Sequence, residues 1–150
     1  MEMINLFDEL KKQQELLQKF MDLISLQQKA IIDCDIISLE ETLKKESVYF
    51  HEIEVNQKMT IETIKNLAEK YSLTLKSNRL SDFLEALEVK KEIKLVSFKK
   101  LQTSLKKIIS NINNVNNQNK MLISQARNFI KEIIGVLTNT NKSSILDRKV

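Results

Sequence analysis

The sequence predicts an all-α fold: an elongated antiparallel helical bundle, built from a coiled-coil hairpin and a long C-terminal helix, with a short helix placed before the last. Three observations predict it. First, the 150 residues include no Pro and one Gly. Sheets, tight turns and phosphate-cradling loops draw on those two residue types, so helices joined by Asn, Ser and Asp turns remain. Second, the aromatics are two Tyr and six Phe with no Trp, so the core is mainly Leu and Ile, which suits a thin bundle. Third, steps of three and four from Phe98 fall on Leu101, Leu105, Ile108, Ile112, Val115, Asn119, Leu122, Ala126, Phe129, Ile133 and Val136, apolar at all but Asn119. That spacing is a coiled-coil seam. At 1.5 Å per residue it is about 58 Å long, which only long partner helices can cover.

The first helix is expected from about residue 2 to 32. Met3, Leu10, Leu17, Ile24 and Ile31 recur every seven residues, with Leu6, Gln13, Phe20 and Gln27 between them. Asp33, Cys34 and Asp35 then suit a turn, since Asp caps helices and Ser38 with Glu41 has capping-box spacing. A second helix is expected over about 38–70, with the seam Leu39, Leu43, Glu46, Phe50, Ile53, Gln57, Thr60, Ile64, Leu67 and Tyr71. Similar length and a short connection make the two an antiparallel hairpin.

Residues 72–80 are rich in Ser, Thr and Asn and read as a loop. Ser81 is placed to cap a short helix, about 81–89, carrying Phe83, Leu84 and Leu87. The long helix is expected over about 91–137. Lys91 and Lys94 occupy would-be seam positions, which marks a helix boundary or a frame shift. Six Asn between Ser110 and Lys120 weaken helix propensity, but Ile112 and Val115 continue the stripe through them. Asn119, at a seam position, is expected to fix register by pairing with a polar partner. These helices form a single domain over 1–137, and 138–150 reads as a polar, mobile tail.

From Met121 onward the stripe widens. Ile123, Ile130, Ile134 and Leu137 add to the seam, and Ser124, Gln125, Arg127, Asn128, Lys131 and Glu132 make the polar face. One reading packs this face into a three- or four-helix core. The other leaves it as a surface for a partner helix.

Net charge is +4, but residues 1–75 carry −5 and residues 76–150 carry +9. The favoured reading sets acidic early helices beside basic later ones so that their rims attract. Lys99, Lys100, Lys106, Lys107, Lys120 and Arg127 occupy outward heptad positions, as a solvated face requires, and no nucleic-acid partner is expected.

The chemistry of an enzyme is absent from the sequence. His51 is the sole histidine, so neither a triad nor a His-based metal site can be assembled. Cys34 between two Asp lacks the ligand count for a metal, and one glycine allows no Walker or Rossmann loop. No cofactor or metal is expected. The lone cysteine suits a reducing compartment. No signal-peptide pattern or apolar run of membrane-spanning length is present, so the chain is read as cytoplasmic.

Leu23, Gln27, Ala30, Asp35, Leu39 and Leu43, with Leu80-Ser81 and the run Asn116-Asn117-Gln118-Asn119-Lys120-Met121-Leu122, give the sequence a resemblance to the FlgN-type flagellar export chaperone family. Its members show a leading leucine heptad, an acidic turn near this position, a Leu-Ser short helix and an N-x-x-N-x-x-L motif in the last helix. The resemblance covers nearly the whole chain. It implies a cytoplasmic chaperone for hook-associated (hook-filament junction) proteins, binding their C-terminal amphipathic helices, preventing premature assembly and delivering them to the type III export gate. The client-binding residues it implies are Leu122, Ile123, Ala126, Phe129, Ile130, Ile133, Ile134 and Leu137, with Asn116 and Asn119 orienting the helix. Family members often carry Tyr-Gly after the stripe, whereas this chain has no Tyr beyond Tyr71 and its glycine lies within the stripe, so gate docking is not carried over. The expected state is a monomer or weak dimer. The alternative is a self-assembling structural coiled coil without a client.

Overall fold

The computed structural model describes residues 2–91 and 95–138. Four helices follow one another: α1 (Glu2–Ile32), α2 (Ile36–Lys70), α3 (Leu80–Lys91) and α4 (Val96–Thr138). The all-α class, the helical hairpin and the long last helix agree with the sequence, and no strand occurs among the described residues. Lys94, the side chain of Lys91 and the polar tail from residue 139 onward lie outside the described residues.

Polar pairs fix the directions. Glu9 pairs with Thr63, Gln13 with Asn56 and Gln27 with Glu46, so α2 runs antiparallel to α1. Phe7 meets Phe98 edge-on, Gln14 meets Ser104 and Gln28 meets Gln118. The sequence offset is nearly constant, so α4 runs parallel to α1. Helix α1 is the central element and packs against both α2 and α4. It therefore buries two sets of residues: the expected Leu6, Leu10, Leu17, Phe20 and Ile24, and a second row, Leu16, Leu23 and Ala30, that the single-seam reading did not include.

Both ends of the hairpin are closed by backbone geometry. At the end of α1 the amide of Asp35 donates to Ala30 O at 2.9 Å and that of Cys34 to Ile31 O at 3.3 Å. Cys34 takes φ 54°. Leu73 to Ala68 and Ser72 to Glu69 repeat the pattern after α2, with Ser72 at φ 51°. These are Schellman closures whose left-handed residue is usually glycine; here Cys34 and Ser72 carry it. Asp35 then caps α2, accepting from the Ser38 amide at 3.1 Å and the Ser38 hydroxyl at 2.6 Å. Ser38, offered by the sequence as a cap, is instead a donor in the first turn.

The seam of α2 differs from the expected one. Leu43, Phe50 and Gln57 are exposed, whereas Thr42 and Asn56 are buried and Tyr49 is half-buried. Two satisfied polar groups explain the shift. Asn56 Nδ2 donates to Glu9 O and Gln13 Oε1, and Thr42 Oγ1 donates to Leu39 O. Hydrogen-bonded polar side chains can therefore occupy the seam while nearby apolar ones face water.

Helix α3 is built into the core at the bundle's N-terminal end. Phe83, Leu84 and Leu87 are fully buried with Leu6, Leu10, Ile64 and Leu67. Ser77 binds the Asp82 carboxylate and accepts from the Arg79 amide, so the lead-in is set upstream of Ser81, which lies inside the first turn. Glu2 pairs with Lys70 at 2.8 Å and Glu88 with Lys99 at 2.8 Å. Neither of these is an ion pair between α1 or α2 and α4, although acidic α1 does lie beside basic α4. The α1–α4 strip is bridged by neutral Gln and Ser side chains instead, and Lys99, Lys100, Lys106, Lys107, Lys120 and Arg127 all face solvent.

Candidate functional site: the projecting end of α4

The parallel pairing fixes where α4 leaves the bundle. Asn119, buried, donates from Nδ2 to Ile24 O at 3.2 Å and to Gln27 Oε1 at 3.3 Å, and Gln27 Nε2 donates to Glu46 Oε2 at 2.9 Å. One polar layer thus ties the three long helices together. Continuing the Gln28–Gln118 pairing by one helical turn brings Ile32, the last residue of α1, level with Leu122. The last sixteen residues of α4, 123–138, therefore project beyond the hairpin turn, about 24 Å of helix at 1.5 Å per residue. None of them is buried.

The seam divides at that point. Leu101, Leu105, Ile112 and Asn119 are buried and Phe98, Ile108, Val115 and Leu122 half-buried, whereas Ala126, Phe129, Ile133 and Val136 are exposed. Of the two readings of the widened stripe, core and surface, the structure shows the surface. Phe129 is 62% exposed, Ile130 54% and Leu137 78%; Ile123 and Ile133 are exposed, and Ile134 is half-buried. With 100° per residue these side chains cover an arc of roughly 160°. Ser124, Gln125, Arg127, Asn128, Lys131 and Glu132 take the remaining circumference.

Of the two motif asparagines, Asn119 sits in the polar layer and Asn116 is half-buried one turn earlier. Both mark the point where bundle gives way to projection. The sequence reading left out a further set of exposed apolar residues at the hairpin end of α2: Ile36, Leu43 and Phe50. Their seven-residue spacing was a visible signal, but Leu43 and Phe50 were absorbed into the predicted seam.

The rest of the described surface offers little chemistry. His51 and Cys34 are exposed and belong to no group of three or more His, Cys, Asp or Glu among the described residues that could hold a metal ion. Bonds from Ser38 hold the Asp35 carboxylate below its ordinary pKa, and Glu2 raises that of Lys70 through a hydrogen bond and its charge. Both are cap or rim groups on the surface. No helix of the described residues is long and apolar enough to cross a membrane.

An apolar helix end held out from a bundle leaves a face that another helix can cover. The family model described as FlgN protein matches residues 1–146. No curated protein and no solved structure gives a significant match. With a match over nearly its whole length, the chain belongs to the FlgN family of flagellar export chaperones.

Proposed function

We propose that this chaperone binds the amphipathic terminal helices of hook-associated proteins, keeps them from assembling prematurely and delivers them to the type III export apparatus in the cytoplasm. The observation that carries this reading is the projecting apolar end of α4. The projecting segment lacks the packed apolar face from which most helical stability in proteins comes. A client's amphipathic helix supplies the missing face, and helix-in-groove packing satisfies both. Leu122, Ile123, Ala126, Phe129, Ile130, Ile133, Ile134 and Leu137 form the contact surface, with Asn116 and Asn119 setting its orientation relative to the bundle. Specific interfaces bury about 800 Å² per partner. The protein acts as a monomer or weak dimer, needs no cofactor and performs no catalysis.

The test is capture of purified hook-associated proteins by Phe129→Asp. Phe129 lies outside the core, so helix content and thermal unfolding should remain those of the unaltered protein while 1:1 capture is lost. Full capture by this variant would remove the assignment of this surface.

A further inference from the structure

The structure holds a second apolar row, on α2, that α4 does not cover. Ile36, Leu43 and Phe50 recur every seven residues and are exposed, Leu43 at 50% and Phe50 at 54%. On α4, Ile109, Asn116, Ile123 and Ile130 recur at the same interval, and the three isoleucines are exposed.

Two clefts show on which side these rows lie. His51, Val55 and Met59 of α2 line a cleft with Lys12, Glu15 and Lys19 of α1. Ser104, Lys107 and Asn111 of α4 line another with Gln14, Glu15 and Gln18. Glu15 belongs to both, so both clefts open on one side of α1. By helical periodicity the two apolar rows occupy the opposite flanks of α2 and α4, bordering the gap between these helices on the other side of α1.

Register completes the picture. Gln27 bonds Glu46, and the offset of 90 between α1 and α4 sets Gln27 level with Asn117. Because α2 and α4 run in opposite directions, Phe50 lies between the levels of Ile109 and Asn116, and Leu43 between those of Asn116 and Ile123. The two rows therefore interleave, staggered by about half a heptad, between the levels of Ile109 and Ile123, about 21 Å, and the α4 row continues alone to Leu137.

Charge identifies the occupant. The α2 row is bordered at the same seven-residue interval by Glu40, Ser47 and Glu54, and the α4 row by Lys106, Asn113, Lys120 and Arg127, all exposed. One wall of the gap is acidic and the other basic. A second copy of this chain pairing through α4 would bring Lys120 and Arg127 against a like-charged rim.

We propose that the client helix docks as a fourth helix between α2 and α4, with its acidic rim along Lys106, Lys120 and Arg127 and its basic rim along Glu40 and Glu54. This deepens the function proposed above and rests on it: the α2 row is a second wall of the same site, and the two rims set the client's orientation.

The experiment measures, by calorimetry, the affinity of the full chain for a purified hook-associated protein. Leu43→Asp/Phe50→Asp should weaken binding at least tenfold, and Lys120→Glu/Arg127→Glu should do the same. Val55→Asp/Met59→Asp, on the opposite flank of α2, should change it less than twofold. Circular dichroism checks that each variant keeps its helix content. Unchanged affinity for the Leu43/Phe50 variant, while Phe129→Asp abolishes binding, overturns the second wall and leaves the α4 reading standing. Unchanged affinity for the Lys120/Arg127 variant overturns the assigned polarity. No binding by the unaltered chain overturns the client reading itself. Light scattering supplies the last outcome: a dimer dispersed by Leu43→Asp/Phe50→Asp, with client affinity intact, would assign the gap to a second copy.

Discussion

Asn119 and Gln27 meet in the buried polar layer, Nδ2 to Oε1 at 3.3 Å, and Gln27 passes the connection to Glu46 on α2. Among the Leu and Ile pairs of the α1–α4 seam, this directional contact distinguishes one register from its neighbours, because apolar side chains accept a slip by a turn more readily than a donor–acceptor pair does. It also lies next to the last level at which α4 has α1 beside it, so it sets how much of α4 projects.

Asn119→Ala should therefore lower stability by about 1–3 kcal/mol, the cost of leaving a buried acceptor without its donor. Urea unfolding of Asn119→Ala, Gln27→Ala and the double variant gives the coupling between them. A coupling of zero would mean that the two side chains do not act as a pair.

The two left-handed residues offer a test in the other direction. L-residues in this conformation cost about 1–2 kcal/mol, which glycine avoids, although its more flexible unfolded chain returns part of the gain. Cys34→Gly and Ser72→Gly, at φ 54° and 51°, should each stabilise the fold by up to about 1 kcal/mol, and together nearly additively because they lie at opposite ends of the hairpin. Chemical denaturation midpoints report it. A decrease for Ser72→Gly would show that its side chain contributes more than its backbone costs.

Asp35 makes the hairpin turn sensitive to acid. Its carboxyl is held below its ordinary pKa by the side-chain and backbone bonds from Ser38. A carboxylate with a depressed folded-state pKa contributes stability that is complete above the unfolded value and is lost as pH falls through the folded one. Asp35→Asn keeps a capping oxygen but does not titrate. Its unfolding midpoint should vary less with pH than that of the unaltered protein below about pH 4, the ordinary range of a free Asp, with the two curves parallel above about pH 5. Thermal unfolding at a series of pH values checks this.

Much of the arrangement was legible in the sequence because heptads report directly on burial. The 3,4 spacing from Phe98 identified the long helix, and its widening after Met121 marked the stretch that projects without deciding between a buried core and an exposed surface. What sequence could not supply was direction and partner choice. Nothing in a heptad says that α4 runs parallel to α1, and the two buried rows of α1 follow only from its central position. On α2 the apolar pattern itself misled: Leu43 and Phe50 were the natural seam, but Asn56 and Thr42 bury at lower cost because their hydrogen bonds are satisfied within the fold. The same misreading concealed the exposed row that faces α4.

Gly135 provides the most direct test of how the projection works. It lies in α4, three residues before the helix ends, and a methyl group added there meets nothing within 4 Å. Gly135→Ala therefore adds no clash, and in a helix interior it contributes about 1 kcal/mol of helix stability. Because no neighbouring helix supports this segment, the gain should appear locally, as slower amide hydrogen exchange over residues 123–138 with the unfolding midpoint of the bundle nearly unchanged. If client capture requires this segment to be helical, ordering it beforehand should tighten binding by up to about fivefold, since 1.4 kcal/mol corresponds to a factor of ten. Slower exchange combined with weaker binding would give the glycine a different role, admitting the client backbone where a methyl group cannot be accommodated.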